Sequence, residues 1–316
     1  MTVLVTGAAG FVGRWLVPLL LEEGFDVSGT RMPGEGIPEA GGSRNQGVRW
    51  RSLDLADPGS VDEAVAERPE AVVHLAALAS GAEARRDPGR AWEVNAAGTA
   101  RLAHALGEQR SAGRSDPLLL LISTAEVYGV GATQTPRREE EPPAPVSPYA
   151  SSKLGAEEAA REVARRTGLR VIIARSFPHT GPGQSEHYVV PAFARRLRAA
   201  RRLGATTVRT GNLEPVRDFL DVRDVVAAYV ALLRQGVPGT VYNVASGVGH
   251  SLHEVFHRLA HAAGVQVTPE VVPELTRTAD LPYLVGDPSR LRAATGWSPR
   301  IPFDQTLQDV VDAQTD

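Results

Sequence analysis

The chain contains no cysteine. That absence excludes disulfide staples, thiol nucleophiles and every cysteine-ligated metal site. Lysine is nearly as scarce: among 34 Lys and Arg residues only Lys153 is a lysine. No apolar run approaches the roughly 20 residues that a membrane-spanning helix needs. The first residues, MTVLVTGAAGFVG, carry no basic region ahead of an apolar one and do not read as a signal peptide. Large charge of one sign is also missing. A formal net charge of −3 leaves no broad footprint for nucleic acid or an anionic membrane. The expected compartment is the cytoplasm, with neither nucleic acid nor membrane as a partner.

What is present is an ordinary globular composition, 42% apolar and 22% charged. A length of 316 residues exceeds one average core and points to two lobes. Short apolar runs predict strands at 3–6, 26–30, 48–51, 71–75, 118–123 and 170–175. Helical periodicity falls between them, at 11–23, 60–67, 90–109 and 149–166. Runs such as LLLLIS and VIIARS are apolar throughout, which implies burial on both faces and a mostly parallel sheet covered by helices. This is the pattern of a Rossmann-type, doubly wound α/β fold. After residue 175 the regularity breaks at FPHTGPGQ, a helix follows at 188–202, and the remainder mixes short strands such as TVYNVA with helices such as SLHEVFHRLAHAAG. The expected organisation is a first domain of 1–175 plus about 212–245, and a smaller mixed α/β lobe of about 176–211 plus 246–316. Residues 32–47, rich in Gly and Pro, read as a flexible surface loop.

TGAAGFVG sets Gly7, Gly10 and Gly13 between the first strand and the first helix. Missing side chains allow a tight turn and close approach to a pyrophosphate, and the helix start offers unpaired N–H groups to its charge. The spacing is G-x-x-G-x-x-G and not G-x-G-x-x-G, so position rather than pattern carries the dinucleotide reading. The second strand ends in Thr30-Arg31, with no acid before Glu35 to accept the ribose 2′-hydroxyl. NADP(H) is therefore favoured and NAD(H) remains possible. Asp54 either faces the adenine or caps the helix entered near Asp57.

Tyr149 and the lone Lys153 are four residues apart and share a helix face. An ammonium beside a phenol is expected to lower the phenol's pKa for proton transfer. It also offers a compact donor for ribose hydroxyls that a guanidinium fits poorly. Ser123 and Thr124 end a strand, where a hydroxyl can steady a substrate carbonyl.

Together TGAAGFVG, HLAA (74–77), the asparagine of NAAGT (Asn95), STAEVYG and YASSK resemble the extended short-chain dehydrogenases, whose members are nucleotide-sugar epimerases, dehydratases and reductases. The resemblance implies that Thr124 takes the Ser/Thr role, Tyr149 is the general acid/base and Lys153 holds the ribose. It further implies cofactor contacts from Phe11, Val12, Leu55, Leu75, Ala76, Ala77 and Asn95, and a homodimer through the Tyr149 helix and its neighbour. Within that class HTGPGQ, YVVPAFARRLR, GNLEPVRDFLDVRDVV and LVGDPSRLRAATGWSP resemble GDP-4-keto-6-deoxy-D-mannose reductases, which implies reduction of a GDP-linked 4-keto sugar to GDP-D-rhamnose. On the same resemblance Arg217 and Arg277 contact the diphosphate and ribose, and Ser123, Thr124, Glu126, His179, Gln184 and Val190 line the sugar pocket. Pro178 departs from the pattern, since relatives carry asparagine before the histidine. Glu126 stands where 4,6-dehydratases keep the glutamate that removes the C5 proton. A 4-epimerase or 4,6-dehydratase using tightly held NAD is therefore the alternative.

One string belongs to another class. His253-Glu254-Val255-Phe256-His257 matches H-E-x-x-H, the helix motif of zinc peptidases. Leu252, Val255, Phe256 and Leu259 form the apolar face of that helix, which puts the histidines on its polar side. A solvated face is the expectation, with incidental surface metal binding next, a zinc hydrolase as the remote alternative, and no metal-ligating residue assigned. A non-catalytic cofactor-sensing protein would typically lose the tyrosine or the lysine, and both are intact here.

Overall fold

The computed structural model describes residues 1–36, 47–131, 134–275 and 281–314. Six of the apolar runs form strands: β1 (Thr2–Thr6), β2 (Asp26–Arg31), β3 (Arg49–Ser52), β4 (Ala71–His74), β5 (Leu118–Thr124) and β6 (Arg170–Ser176). With the strand Val241–Val244 they make one seven-stranded sheet, ordered Val241–Val244, β6, β5, β4, β1, β2, β3. Every pairing is parallel. The chain starts in the middle and winds outward both ways, so the order reverses between β1 and β4. That reversal is the topological switch point, and in open sheets of this kind ligands bind at the carboxyl ends of the strands there.

The apolar strands β4 and β5 are explained by what covers them. Val73, Leu118 and Leu120 pack under the helices Gly13–Glu22 and Val222–Gln235, with Leu16, Leu20, Val225 and Tyr229. Val72, Leu119 and Leu121 face the other way, onto Leu102 and Leu106 of Gly98–Ser111 and Ala156, Ala160 and Val163 of Pro148–Thr167. Each fully buried aliphatic side chain contributes roughly 1.5–3 kcal/mol. A polar residue on either face would forfeit that burial, so the strands show no alternation.

A separate apolar cluster is built by the helices Val189–Leu203, Leu252–Ala262 and Phe303–Asp312, with Phe193 edge-on to Phe256 at 5.5 Å. Three acids of RDFLDVRD fasten this cluster and its loops to the sheet. Buried Asp218 accepts from the Ser246 N–H and hydroxyl and from the N–H groups of Gly247 and Gly286. Asp221 caps the helix Val222–Gln235 and accepts from the Thr306 hydroxyl at 2.8 Å. Asp224 receives the N–H groups of Arg300 and Ile301, both at 3.0 Å.

The helix Pro148–Thr167 is delimited by its sequence. The Ser147 hydroxyl accepts the Ala150 N–H, Pro148 occupies the first turn, and Gly168 ends the helix at φ +76. The stretch expected as one helix at 90–109 is broken into Pro88–Ala91, a wider π-type turn at Trp92–Ala97, and Gly98–Ser111. Of the expected loop at 32–47, residues 37–46 lie outside the described residues. Among the described residues no helix is long and apolar enough to cross a membrane.

Candidate active site

The glycine turn sits where β1 ends. Gly7 adopts φ +68, and a Cβ there would lie 2.9 Å from the backbone of Ala76. The Gly7 N–H donates to the Thr30 hydroxyl at 3.1 Å, which draws the end of β2, and with it Arg31, beside the turn. A Cβ on Gly13 would lie 2.4 Å from the Ala8 carbonyl oxygen, so the helix start packs directly on the turn. No side chain caps that helix and no acid occupies its first turn. The N–H groups of Arg14 and Trp15 already close on the carbonyls of Gly10 and Val12, whereas those of Phe11, Val12 and Gly13 make no bond to the described residues and are what the turn offers an anion.

A buried polar chain runs from this turn towards the tyrosine helix. The Ala76 N–H donates to the Thr6 hydroxyl at 3.1 Å, and the same hydroxyl meets His74 Nδ1 at 2.7 Å. His74 Nε2 meets the Thr99 hydroxyl at 3.1 Å, and that hydroxyl donates to the Asn95 carbonyl. The bonds fit one neutral tautomer, in which Nε2 carries the proton and Nδ1 accepts. Burial, together with the Lys153 charge, pushes the His74 pKa down to about 3. The Asn95 side chain then accepts from the Leu78 N–H at 2.8 Å and donates to Leu78 O and the Ser152 hydroxyl. The widened turn that carries Asn95 is what lets one side chain join the loop after β4 to the tyrosine helix.

Thr124, Glu126 and Tyr149 are brought together at the end of β5. The Thr124 hydroxyl accepts the Glu126 N–H at 3.2 Å and lies within hydrogen-bonding reach of the Tyr149 phenol. Glu126 receives the Ser147 hydroxyl at 3.5 Å. The expected electrostatics of Tyr149 are corrected here. Its pKa is raised, chiefly by burial and then by the charges of Glu126 and Tyr188, against a smaller opposing effect of the Thr124 bond. Lys153 is not among the main causes. Burial lowers the Lys153 ammonium to about 8, against the charge of Glu157, one helical turn on, which pushes it up. No hydrogen bond with the described residues shifts it.

Glu157, missed in the sequence, is the buried counter-charge of the site. It accepts from Ser123 Oγ at 2.6 Å, from Arg175 Nε and Nη2 at 3.0 and 2.8 Å, and from Arg161 Nη2 at 3.0 Å. Arg175 is itself buried and stands 4.7 Å over the Tyr128 ring. Ser123 is thereby separated from Thr124: neighbours on a strand point to opposite faces, and its hydroxyl is committed to Glu157. The i, i+4 spacing of Lys153 and Glu157 was available in YASSKLGAEE. Nothing in the sequence tells that Glu157 is enclosed whereas Glu158 is exposed.

Other expected site residues fall in different places. The Arg31 guanidinium donates to the Glu35 carbonyl, at the end of β2. Asp54 closes its own turn on the Ala56 N–H, and Asp57, not Asp54, caps the following helix. Leu55 packs against Gly98 in the second-face core. Phe11 stacks on His179, with ring planes 6° apart. His179 donates from Nδ1 to the Phe177 carbonyl, and burial lowers its pKa. Gln184 is spent inside its loop, accepting from Thr180 and donating to the His179 carbonyl. Trp15 and Arg14 donate to the carbonyls of Pro182 and Gly183, which ties that loop to the glycine-turn helix. Val190 fills the small cluster beside Phe193, because it belongs to the helix's apolar stripe. Arg217 lies in the short strand Val216–Arg217, between His250–Ser251 and Tyr283–Leu284, and Arg277 lies outside the described residues. In the H-E-x-x-H string Glu254 is held by His250 at 2.9 Å and Arg258 at 2.6 Å, so it is not free to act as a base.

The glycine cradle, the uncapped helix start and the buried ammonium form a site that fits a dinucleotide. The model of the GDP-mannose 4,6 dehydratase family matches residues 4–310. The chain belongs to that family. Among its relatives, the GDP-6-deoxy-D-mannose reductase of Pseudomonas aeruginosa is 37% identical over 309 residues, 97% of this chain and 95% of the relative. A solved structure of RMD from Pseudomonas aeruginosa complexed with NADPH is 34% identical, with a TM-score of 0.82 over 99% of this chain and 98% of that one. UDP-glucose 4-epimerase of Thermus thermophilus in complex with NAD is 33% identical, with a TM-score of 0.86 over the same shares. This member of the GDP-mannose 4,6 dehydratase family is an extended short-chain dehydrogenase in sequence and in fold.

Proposed function

We propose that this enzyme is an NADPH-preferring reductase of a GDP-linked 4-keto-6-deoxyhexose, the conversion of GDP-4-keto-6-deoxy-D-mannose to GDP-D-rhamnose. The observation that carries the reading is the likeness to the Pseudomonas aeruginosa GDP-6-deoxy-D-mannose reductase, 37% identical over 97% of this chain, with Thr124 and Tyr149 gathered at the end of β5. A phenol there, protonated at neutral pH, can donate to a ketone oxygen during reduction.

NADPH, when bound, supplies the hydride. Its pyrophosphate would rest on the Gly7–Gly13 turn, its ribose hydroxyls on Lys153, and its 2′-phosphate near Arg31. Phe11, Val12, Leu55, Leu75, Ala76, Ala77 and Asn95 complete that proposed set, with Asp54 at the adenine end. Thr124 orients the substrate carbonyl, and Tyr149 delivers its proton to the C4 oxygen as charge develops there. Burial, and after it the negative charge of Glu126, favours the acid form of the phenol. His179 and Arg217 are the proposed contacts to sugar and diphosphate, and the active unit is a homodimer through the Tyr149 helix and its neighbour.

The test uses purified protein with GDP-mannose alone, and separately with its 4-keto-6-deoxy derivative plus NADPH. The reading expects NADPH consumption with the keto sugar only. Turnover of GDP-mannose without added reductant would overturn it in favour of a dehydratase or epimerase.

A further inference from the structure

The helix Leu252–Ala262 buries Leu252, Val255, Phe256 and Leu259 and leaves His253, His257 and His261 on its exposed side. His253 and His257 are not dispersed in solvent. Their Nε2 atoms approach to 3.3 Å, with ring centroids 4.4 Å apart and planes inclined at 58°. The contact is a hydrogen bond in which one imidazole N–H donates to the bare nitrogen of the other. The same spacing suits a shared metal ion. Two zinc–nitrogen bonds of about 2.0–2.1 Å at a tetrahedral angle place their nitrogens roughly 3.3–3.4 Å apart.

The pair is also held in place. The His257 ring stands edge-on to Phe256 at 5.6 Å and 89°, and Phe256 is fully buried in the small-lobe cluster. Glu254, the remaining polar group of the string, is engaged by His250 and Arg258 and does not compete for the histidines. Beyond His257 the surface opens into a groove lined by Thr206, His261, Gln266 and Thr268. Among the described residues no group of three or more His, Cys, Asp or Glu converges on one point.

We propose that His253 and His257 form a two-histidine chelate for a divalent zinc ion on the outer face of the small lobe, with the remaining coordination positions open to water at the groove. The site is independent of the reductase chemistry. It is not a peptidase centre, because its glutamate is tied down. Bound zinc bridges one turn of the helix and so stabilises the folded lobe by mass action.

The test is equilibrium dialysis of the untagged full chain against zinc in a non-chelating buffer, with melting temperature followed in parallel. The variants are His253→Ala, His257→Ala and, as a control, His261→Ala; all three positions are exposed and tolerate truncation. One zinc per chain is expected for the unaltered protein and for His261→Ala, with a zinc-dependent rise in melting temperature. His253→Ala and His257→Ala should each lose both the bound zinc and the rise, while NADPH-dependent turnover stays unchanged in all three. Three outcomes overturn the assignment: no zinc taken up by the unaltered chain, zinc retained in both single variants, or equal loss in His261→Ala.

Discussion

Replacing Lys153 with methionine is expected to make the cofactor-free protein more stable while removing its activity. Lys153 is 4% exposed, and burial takes its pKa from the ordinary 10.5 to about 8 on folding, with the attraction of Glu157 already included. At about 1.4 kcal/mol per tenfold change, keeping that charge inside costs the fold roughly 3 kcal/mol at neutral pH. The sign follows from proton counting. Between about pH 8 and 10.5 the unfolded chain holds the lysine proton and the folded chain has released it, so stability rises with pH across that window. Below about 8 both states are charged and the full cost is present. Methionine has the length without the charge, so Lys153→Met should gain up to about 3 kcal/mol in urea unfolding at pH 7. The difference between the two proteins should shrink by a similar amount at pH 10, because other titrating groups are common to both. A variant less stable than its parent at pH 7, or a gap unchanged at pH 10, would refute the reasoning.

Tyr149→Phe should lower kcat about 10²–10⁴-fold in the NADPH-oxidation assay, with coenzyme affinity by fluorescence titration unchanged. Glu157→Gln should cost roughly 3–5 kcal/mol in urea unfolding, since Arg175 and Lys153 are left as buried cations without their anion. Arg175→Met should cost less, because Glu157 keeps Arg161 and Ser123. In Glu157→Gln the alkaline decline of coenzyme affinity, which follows loss of the Lys153 charge near pH 8, should move to lower pH. Gly13→Ala places a methyl group 2.4 Å from the Ala8 carbonyl oxygen and should cost about 1–3 kcal/mol in the same unfolding assay, with weakened NADPH binding.

Periodicity carried the sheet well, because β4 and β5 are buried on both faces and so are apolar without interruption. Helix limits were legible where capping chemistry is local, as at Ser147-Pro148 and Gly168. The short helices Gly81–Arg86 and Ser289–Thr295 were not delimited, having fewer than three turns in which to show a stripe. The break at Trp92–Ala97 was hidden as well, since a one-residue widening leaves composition unchanged. Tyr149 and Lys153 were found from spacing and from the rarity of lysine. The direction of their electrostatics was not, because it depends on enclosure and on which neighbours the charges meet. Glu157 lies 34 positions from Ser123 and 18 from Arg175, and only the packing of β5, β6 and the helix joins them.

The bonds from Trp15 and Arg14 to the carbonyls of Pro182 and Gly183, with Phe11 laid on His179, tie the glycine turn to the segment proposed to meet the sugar. Conformational freedom lost at one is lost at the other. Once coenzyme has settled on the turn, part of the ordering cost of admitting the second ligand has already been met. The expected signature is mutual: either ligand, once bound, tightens the binding of the other by the same factor.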